Sequence, residues 1–242
     1  MLIAAFEKGP VIYQEWLGDT KVVRVSQNAV IKAGVQVLQI EAAAMRLIQE
    51  FKYDDHIEGL NAMGYIVMEY VPGTCLGDGA WRELSPITKA AVYDQLISYI
   101  QQLQAFSLPP DLRLGRIGDG LSIGSVFSHC GSGPFDSLAA FVRYFNLKLE
   151  LTRRCGRAQG SDFTEEEFSP LTFIHGDIAE KNLILDPSGT LWLMDWALAG
   201  VYPAFFEWAA MQRQEWTKGF VDGLKARLVE KGFCDNMVDE EK

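Results

Sequence analysis

The segment that most narrows the possible folds is 171–200, LTFIHGDIAEKNLILDPSGTLWLMDWALAG. A short apolar run, Leu171-Thr172-Phe173-Ile174, delivers His175-Gly176-Asp177 into a loop. Leu183–Asp186 and Thr190–Met194 are strand-forming runs around Pro187-Ser188-Gly189, which predicts a β-hairpin. Pairing Leu185 with Thr190 sets Asn182 opposite Leu193, and Asp195 follows two residues later at the same open mouth. The spacing therefore predicts that Asp177, Asn182 and Asp195 converge on one small volume. Oxygens from Asn182 and Asp195 suit a hard divalent cation such as Mg²⁺, which takes few protein ligands and leaves positions for phosphate. Asp177, five residues before Asn182, can accept a proton from a hydroxyl. Taken singly, Asp195 could cap a helix and Asn182 could be a loop residue; the ordered set carries more. Asp186, beside Pro187, reads as turn chemistry alone.

Around this segment the chain has two textures. Residues 1 to about 72 are β-rich with one helix. Val11–Trp16, Lys21–Val25 and Ala29–Lys32 read as strands, the last two joined by Ser26-Gln27-Asn28. Val37–Phe51 is helical, with Leu38, Ala42, Met45 and Ile48 at i, i+3, i+4 spacing. Gly64–Val71 is a further strand, stopped by Pro72-Gly73. This places a domain boundary at 72, with residues 1–72 forming one domain and 73–242 the other. Beyond it, Ser85-Pro86 marks a helix start, and Ile87, Ala90, Ala91, Leu96, Ile97, Ile100 and Leu103 form the expected apolar stripe. Residues 108–135 read as loop, and helices are expected from about Asp136, over 204–215 and over 217–231.

Composition bounds the function. With 242 residues and 48% hydrophobic content, the chain can bury a core without disulfides or metals. A net charge of −10 argues against a nucleic-acid partner. Cys75, Cys130, Cys155 and Cys234 show no C-x-x-C spacing and read as free thiols of a reducing compartment. No apolar run is long enough to span a membrane, and MLIAAFEKGP lacks the basic start of a signal peptide. The expectation is a cytoplasmic protein with neither membrane nor nucleic acid as partner.

H-G-D-x-x-x-x-N (His175, Gly176, Asp177, Asn182), then the hairpin and D-W-x-x-A-G (Asp195, Trp196, Ala199, Gly200), resembles the aminoglycoside phosphotransferase and choline kinase group. The pattern is most similar to its fungal phosphotransferase-enzyme family. Met68–Gly73 resembles the strand and hinge between lobes, and Gly133-Pro134-Phe135-Asp136-Ser137 resembles the start of a C-lobe helix. The likeness runs from about Val11 to Phe233, and its specific motifs lie at 65–73 and 174–200. It implies an α+β, bilobal, protein-kinase-like fold with a reduced β-rich N-lobe, a hinge at 69–72 and a mainly helical C-lobe. It also implies transfer of the ATP (or GTP) γ-phosphoryl group to a hydroxyl of a small molecule. In that scheme Asp177 is the catalytic base. Asn182 and Asp195 hold Mg²⁺. Lys32 contacts the α- and β-phosphates, with Glu41 as its ion-pair partner. Backbone groups from Glu69 to Val71 bind adenine, and Gly18 belongs to the loop over the phosphates. The acidic balance tilts the acceptor toward an amine-bearing molecule.

The sequence departs from the pattern in its phosphate loop, in the short segment Lys52-Tyr53-Asp54-Asp55-His56 after the Glu41 helix, and at Ala179, where protein-serine kinases carry a lysine. The phosphate loop is only Leu17-Gly18-Asp19-Thr20, with one glycine and an acid that repels a triphosphate. This keeps a second reading open, a non-catalytic or repurposed kinase-like protein with weak or no nucleotide binding. Gly120-Leu121-Ser122-Ile123-Gly124 matches a hydrolase elbow, but no buried strand precedes it and too little chain separates Ser122 from His175.

Overall fold

The computed structural model describes residues 2–14, 19–35, 37–48, 63–118, 121–127, 131–214 and 217–231. In chain order the elements are α1 (Leu2–Lys8), β1 (Val11–Gln14), β2 (Lys21–Arg24), β3 (Ala29–Gly34), α2 (Gln39–Ile48), β4 (Gly64–Glu69), β5 (Thr74–Cys75), α3 (Ala80–Glu83), α4 (Pro86–Gln104), β6 (Gly115–Arg116), α5 (Leu138–Arg154), β7 (Leu171–Ile174), β8 (Leu183–Leu185), β9 (Leu191–Leu193), β10 (Gly200–Pro203), α6 (Phe205–Gln212) and α7 (Lys218–Glu230). They form two compact units, residues 1–74 with 184–197, and residues 75–183 with 198–242.

The first unit is built on an antiparallel sheet in the order β1-β2-β3-β4. Val23, Ile31 and Ala33 bury one face of it together with Phe6 of α1, a helix the sequence reading did not draw. On the other face Val30 and Ile66 are buried, and Ile66 packs with Val37 and Ala42 at the start of α2. Alternation along β3 therefore sends Ile31 and Lys32 to opposite faces. The β8–β9 hairpin belongs to this unit and turns where the sequence placed it. Asp186 Oδ1 accepts the backbone N–H groups of Ser188 (2.8 Å) and Thr190 (2.9 Å), and Oδ2 accepts from Trp192 Nε1 at 3.1 Å. These bonds, first the one from the Ser188 hydroxyl, hold the Asp186 carboxyl down at about 2.

The second unit is mainly helical. The Ser85 side chain caps α4 by accepting from Thr88 N, and Pro86 occupies the first turn as expected. The buried stripe runs through Val92, Tyr93, Leu96, Ile97, Ile100 and Leu103. Ile87 and Ala91 do not belong to it: both are exposed, Ile87 at 84%, and both precede the buried stretch that begins at Val92. Ser137 caps α5, accepting from Ala140 N. Phe135, Phe141, Phe168, Tyr202 and Phe206 interlock there as an aromatic core. β7 pairs antiparallel with β10, with Ile174 opposite Gly200. Among the described residues no helix is long and apolar enough to cross a membrane.

Candidate active site

In the first unit three predicted residues meet. The alternation that buries Ile31 turns Lys32 toward α2, where Glu41 stands in the first turn. Lys32 Nζ lies 2.8 Å from Glu41 Oε1 and 2.9 Å from Oε2. It also lies 3.0 Å from Asp195 Oδ1, 163 residues further along the chain. The side chains of Lys32 and Glu41 are 13% and 2% exposed, whereas that of Asp195 is 37% exposed. Burial works to lower the Lys32 pKa, but Glu41 and Asp195 outweigh it, and the ammonium is held above its ordinary value. Burial also pushes the Glu41 carboxyl up to about 6, against the pull of Lys32. Asp195 adopts φ +61°, a left-handed conformation that aspartate tolerates better than bulkier residues.

At the end of β4, Glu69 pairs across from Ala29, and the next residue, Tyr70, donates its N–H to Asn28 O at 2.9 Å. Backbone groups alternate along an extended chain, so the Glu69 carbonyl and the Val71 N–H face away from β3. β4 is the edge of the four-stranded sheet. Gly18 lies outside the described residues. Its neighbour Asp19 is described: Oδ2 accepts the Val35 N–H at 2.7 Å.

In the second unit the loop after β7 carries Asp177. Asn182 Nδ2 donates to Asp177 Oδ2 and to the Asp177 carbonyl, both at 2.8 Å. With the amide nitrogen spent this way, Asn182 keeps Oδ1 as its acceptor. Gln214 Nε2 donates to Asp177 Oδ1 at 3.0 Å, and Lys181 Nζ stands 3.3 Å from Oδ2. Both carboxylate oxygens are therefore oriented by neighbours. His175 is fully buried, and its Nδ1 accepts the Asp177 N–H at 3.2 Å, a structural role. Gly176 has φ +79°, and a Cβ there would stand 3.0 Å from Leu198 O, so the loop needs glycine at this point.

Glu207 braces the loop from below. It lies on α6 and accepts from His175 N (2.6 Å) and Gly176 N (2.9 Å). Burial pushes its carboxyl up to about 7, with Asp177 adding to the rise and the two backbone bonds opposing it. The sequence reading missed Glu207, although a lone acid in the apolar run Phe205-Phe206-Glu207-Trp208 was a usable signal. It also missed Gln214, for which the sequence offers no signal. Ser122 is buried, its Oγ bonded to the Tyr202 hydroxyl, and Asp162 pairs with Arg153, so Ser122, Asp162 and His175 form no hydrolase triad.

Among the described residues no group of three or more His, Cys, Asp or Glu side chains gathers to hold a metal on its own.

A family model described as Phosphotransferase enzyme family matches residues 33–237. No curated protein matches the sequence. Among solved structures, the chain is similar to the GDP complex of a mutant aminoglycoside 2′-phosphotransferase-IIIa, with TM-score 0.58 and 12% identity over 99% of this chain and 81% of that one. It is similar to APH(2″)-IIa in a ternary complex with streptomycin and ATP, with TM-score 0.53 and 13% identity over 93% and 79%. It is also similar to the choline kinase LicA from Streptococcus pneumoniae, with TM-score 0.52 and 14% identity over 96% and 78%. These likenesses give the fold: an α+β, protein-kinase-like architecture with a sheet-rich N-terminal part and a helical C-terminal part.

Proposed function

The chain belongs to the phosphotransferase enzyme family, and we propose that it transfers the γ-phosphoryl group of ATP, or of GTP, to a hydroxyl of a small molecule. The observation that carries this reading is Lys32, a largely buried ammonium bound at once by buried Glu41 and exposed Asp195. Phosphoryl transfer needs positioning and charge neutralisation rather than a covalent nucleophile, and this chain supplies parts for both. Residues 1–72 cover the nucleotide, and residues 73–242 provide the catalytic loop and the acceptor site. Lys32, fixed by Glu41, binds the α- and β-phosphates. The outward Glu69 carbonyl and Val71 N–H take the adenine edge, and Gly18 belongs to the loop over the phosphates. Asn182 and Asp195 would hold Mg²⁺, which when bound neutralises the charge of the phosphates.

Asp177 accepts the proton of the acceptor hydroxyl. Its carboxylate is kept in one orientation by Asn182 and Gln214, and Glu207 fixes the loop beneath it. Aminoglycoside and choline kinases among the structural neighbours support a small hydroxyl-bearing acceptor, and the acidic chain favours one that carries an amine. Free Cys75 and Cys155 support a cytoplasmic setting.

Calorimetric titration of Mg²⁺–ATP into the parent and into Asp195→Asn tests the assignment. Binding should saturate in the parent and lose its Mg²⁺ dependence in the variant. Equal Mg²⁺-dependent binding by the two proteins refutes the metal role, and no binding by the parent favours a non-catalytic kinase-like protein.

A further inference from the structure

Lys181 stands on the turn between Asp177 and Asn182 with a fixed backbone and a free head. The Asn182 N–H closes the turn by donating to Ala179 O at 2.9 Å. The Cys75 thiol donates to Lys181 O at 3.3 Å. A Cβ on Gly77 would come to 3.0 Å from Lys181 Cα, so the glycine lets the two backbones pack closely. The side chain is held far less: it is 60% exposed, and its Nζ lies 3.3 Å from Asp177 Oδ2. The neighbouring Glu180 is engaged elsewhere: burial lifts its carboxyl, against its own backbone N–H and the charge of Arg82. All of these residues belong to the second unit.

An exposed ion pair adds little to stability and is readily exchanged for a stronger partner. An ammonium on a flexible four-carbon stem can turn widely about an anchored Cα. A general base takes its proton from a hydroxyl at roughly 2.6–3.2 Å, so the oxygen that attacks phosphorus lies beside the Asp177 carboxylate. The phosphoryl group it attacks is then within the sweep of Lys181 Nζ. Transfer spreads negative charge over the equatorial oxygens of that group. Lys32 already shares its own charge between Glu41 and Asp195.

We propose that Lys181 is a further catalytic residue, whose ammonium leaves Asp177 and binds the oxygens of the phosphoryl group during its transfer. The inference rests on the phosphoryl-transfer reading above. In that step the acceptor oxygen bonds to the γ-phosphorus as the bond from phosphorus to the β,γ-bridging oxygen breaks. The bridging oxygen keeps the electron pair and leaves with ADP, and the hydroxyl proton passes to Asp177. That proton cancels the carboxylate charge that held Lys181, so the ammonium is released to the phosphoryl oxygens as the reaction proceeds.

The test uses the full chain with Mg²⁺–ATP and water as the acceptor. Lys181→Met keeps an unbranched stem at an exposed position and should unfold in urea as the parent does. Its rate of ADP release should fall roughly 10–10²-fold with the KM for Mg²⁺–ATP nearly unchanged, and Lys181→Arg should recover most of the loss. The fall should be the same from pH ~6 to ~8, whereas a lysine that only kept a carboxylate charged would matter at low pH alone. Binding gives a second readout. Aluminium fluoride, a mimic of the phosphoryl group in transfer, should tighten Mg²⁺–ADP on the parent and tighten it less on Lys181→Met, with ADP alone bound equally. The inference is overturned if Lys181→Met releases ADP as fast as the parent, or if its loss is confined to KM or to low pH. Equal tightening by aluminium fluoride on both proteins overturns it too. A parent that neither binds Mg²⁺–ATP nor releases ADP overturns the phosphoryl-transfer reading itself, and the inference falls with it.

Discussion

Glu207→Gln should remove the pH dependence that this one buried carboxyl imposes on stability. Burial raises the Glu207 pKa from 4.5 to about 7 in the folded protein. Between those values the unfolded chain has released a proton that the folded chain keeps. The folded state therefore binds more protons, and stability falls as pH rises. Below the unfolded pKa both states are protonated and the group contributes no pH dependence; above the folded value the whole penalty is present. The separation of about 2.5 units, at about 1.36 kcal/mol each, corresponds to roughly 3 kcal/mol. Most of it, roughly 2 to 3 kcal/mol, falls between pH ~5 and ~8. Glutamine carries no such titration. It can accept one of the two N–H groups from His175 and Gly176, but turns its own N–H toward the other, a loss of roughly 1 kcal/mol. The variant should thus be slightly less stable than the parent at pH 5 and more stable at pH 8. Urea unfolding followed by tryptophan fluorescence across that range measures the crossing. Parallel curves for parent and variant would refute a carboxyl held protonated by burial.

Two further substitutions probe the halves of the site. Gly176→Ala forces a Cβ into a φ of +79° and to 3.0 Å from Leu198 O, so it should cost roughly 1–3 kcal/mol of stability by urea unfolding and slow any turnover. Asp19→Asn keeps an oxygen for the Val35 N–H while removing the charge. It should tighten Mg²⁺–ATP binding at low salt and lose that gain at high salt, whereas equal affinities at low salt place Asp19 outside the phosphates' reach.

Local chemistry made much of this fold legible. The 183–194 hairpin follows from one turn, in which Asp186 collects the donors of Ser188, Thr190 and Trp192. The Lys32–Glu41 contact is legible only through the family resemblance; in the structure a strand period of two aims Lys32 at the first turn of the next helix. Periodicity misled at Ile87, because a helix pattern does not say where along its length the core begins. Long-range partners were illegible. Beyond the family resemblance nothing in the sequence ties Lys32 to Asp195, and nothing ties Gln214 to Asp177 across 37 residues. The first-unit helix Leu2–Lys8 has no acidic residue in its first turn to mark its start.

The most direct test of phosphoryl transfer is the release of ADP from Mg²⁺–ATP by the parent and by Asp177→Asn, followed by ³¹P NMR in the presence of hydroxyl-bearing amines. The account predicts slow release from the parent, acceleration by an acceptor with a new phosphomonoester resonance, and a loss of roughly 10²–10⁴-fold in the variant at nearly unchanged nucleotide affinity. ADP release as fast from Asp177→Asn as from the parent would contradict it.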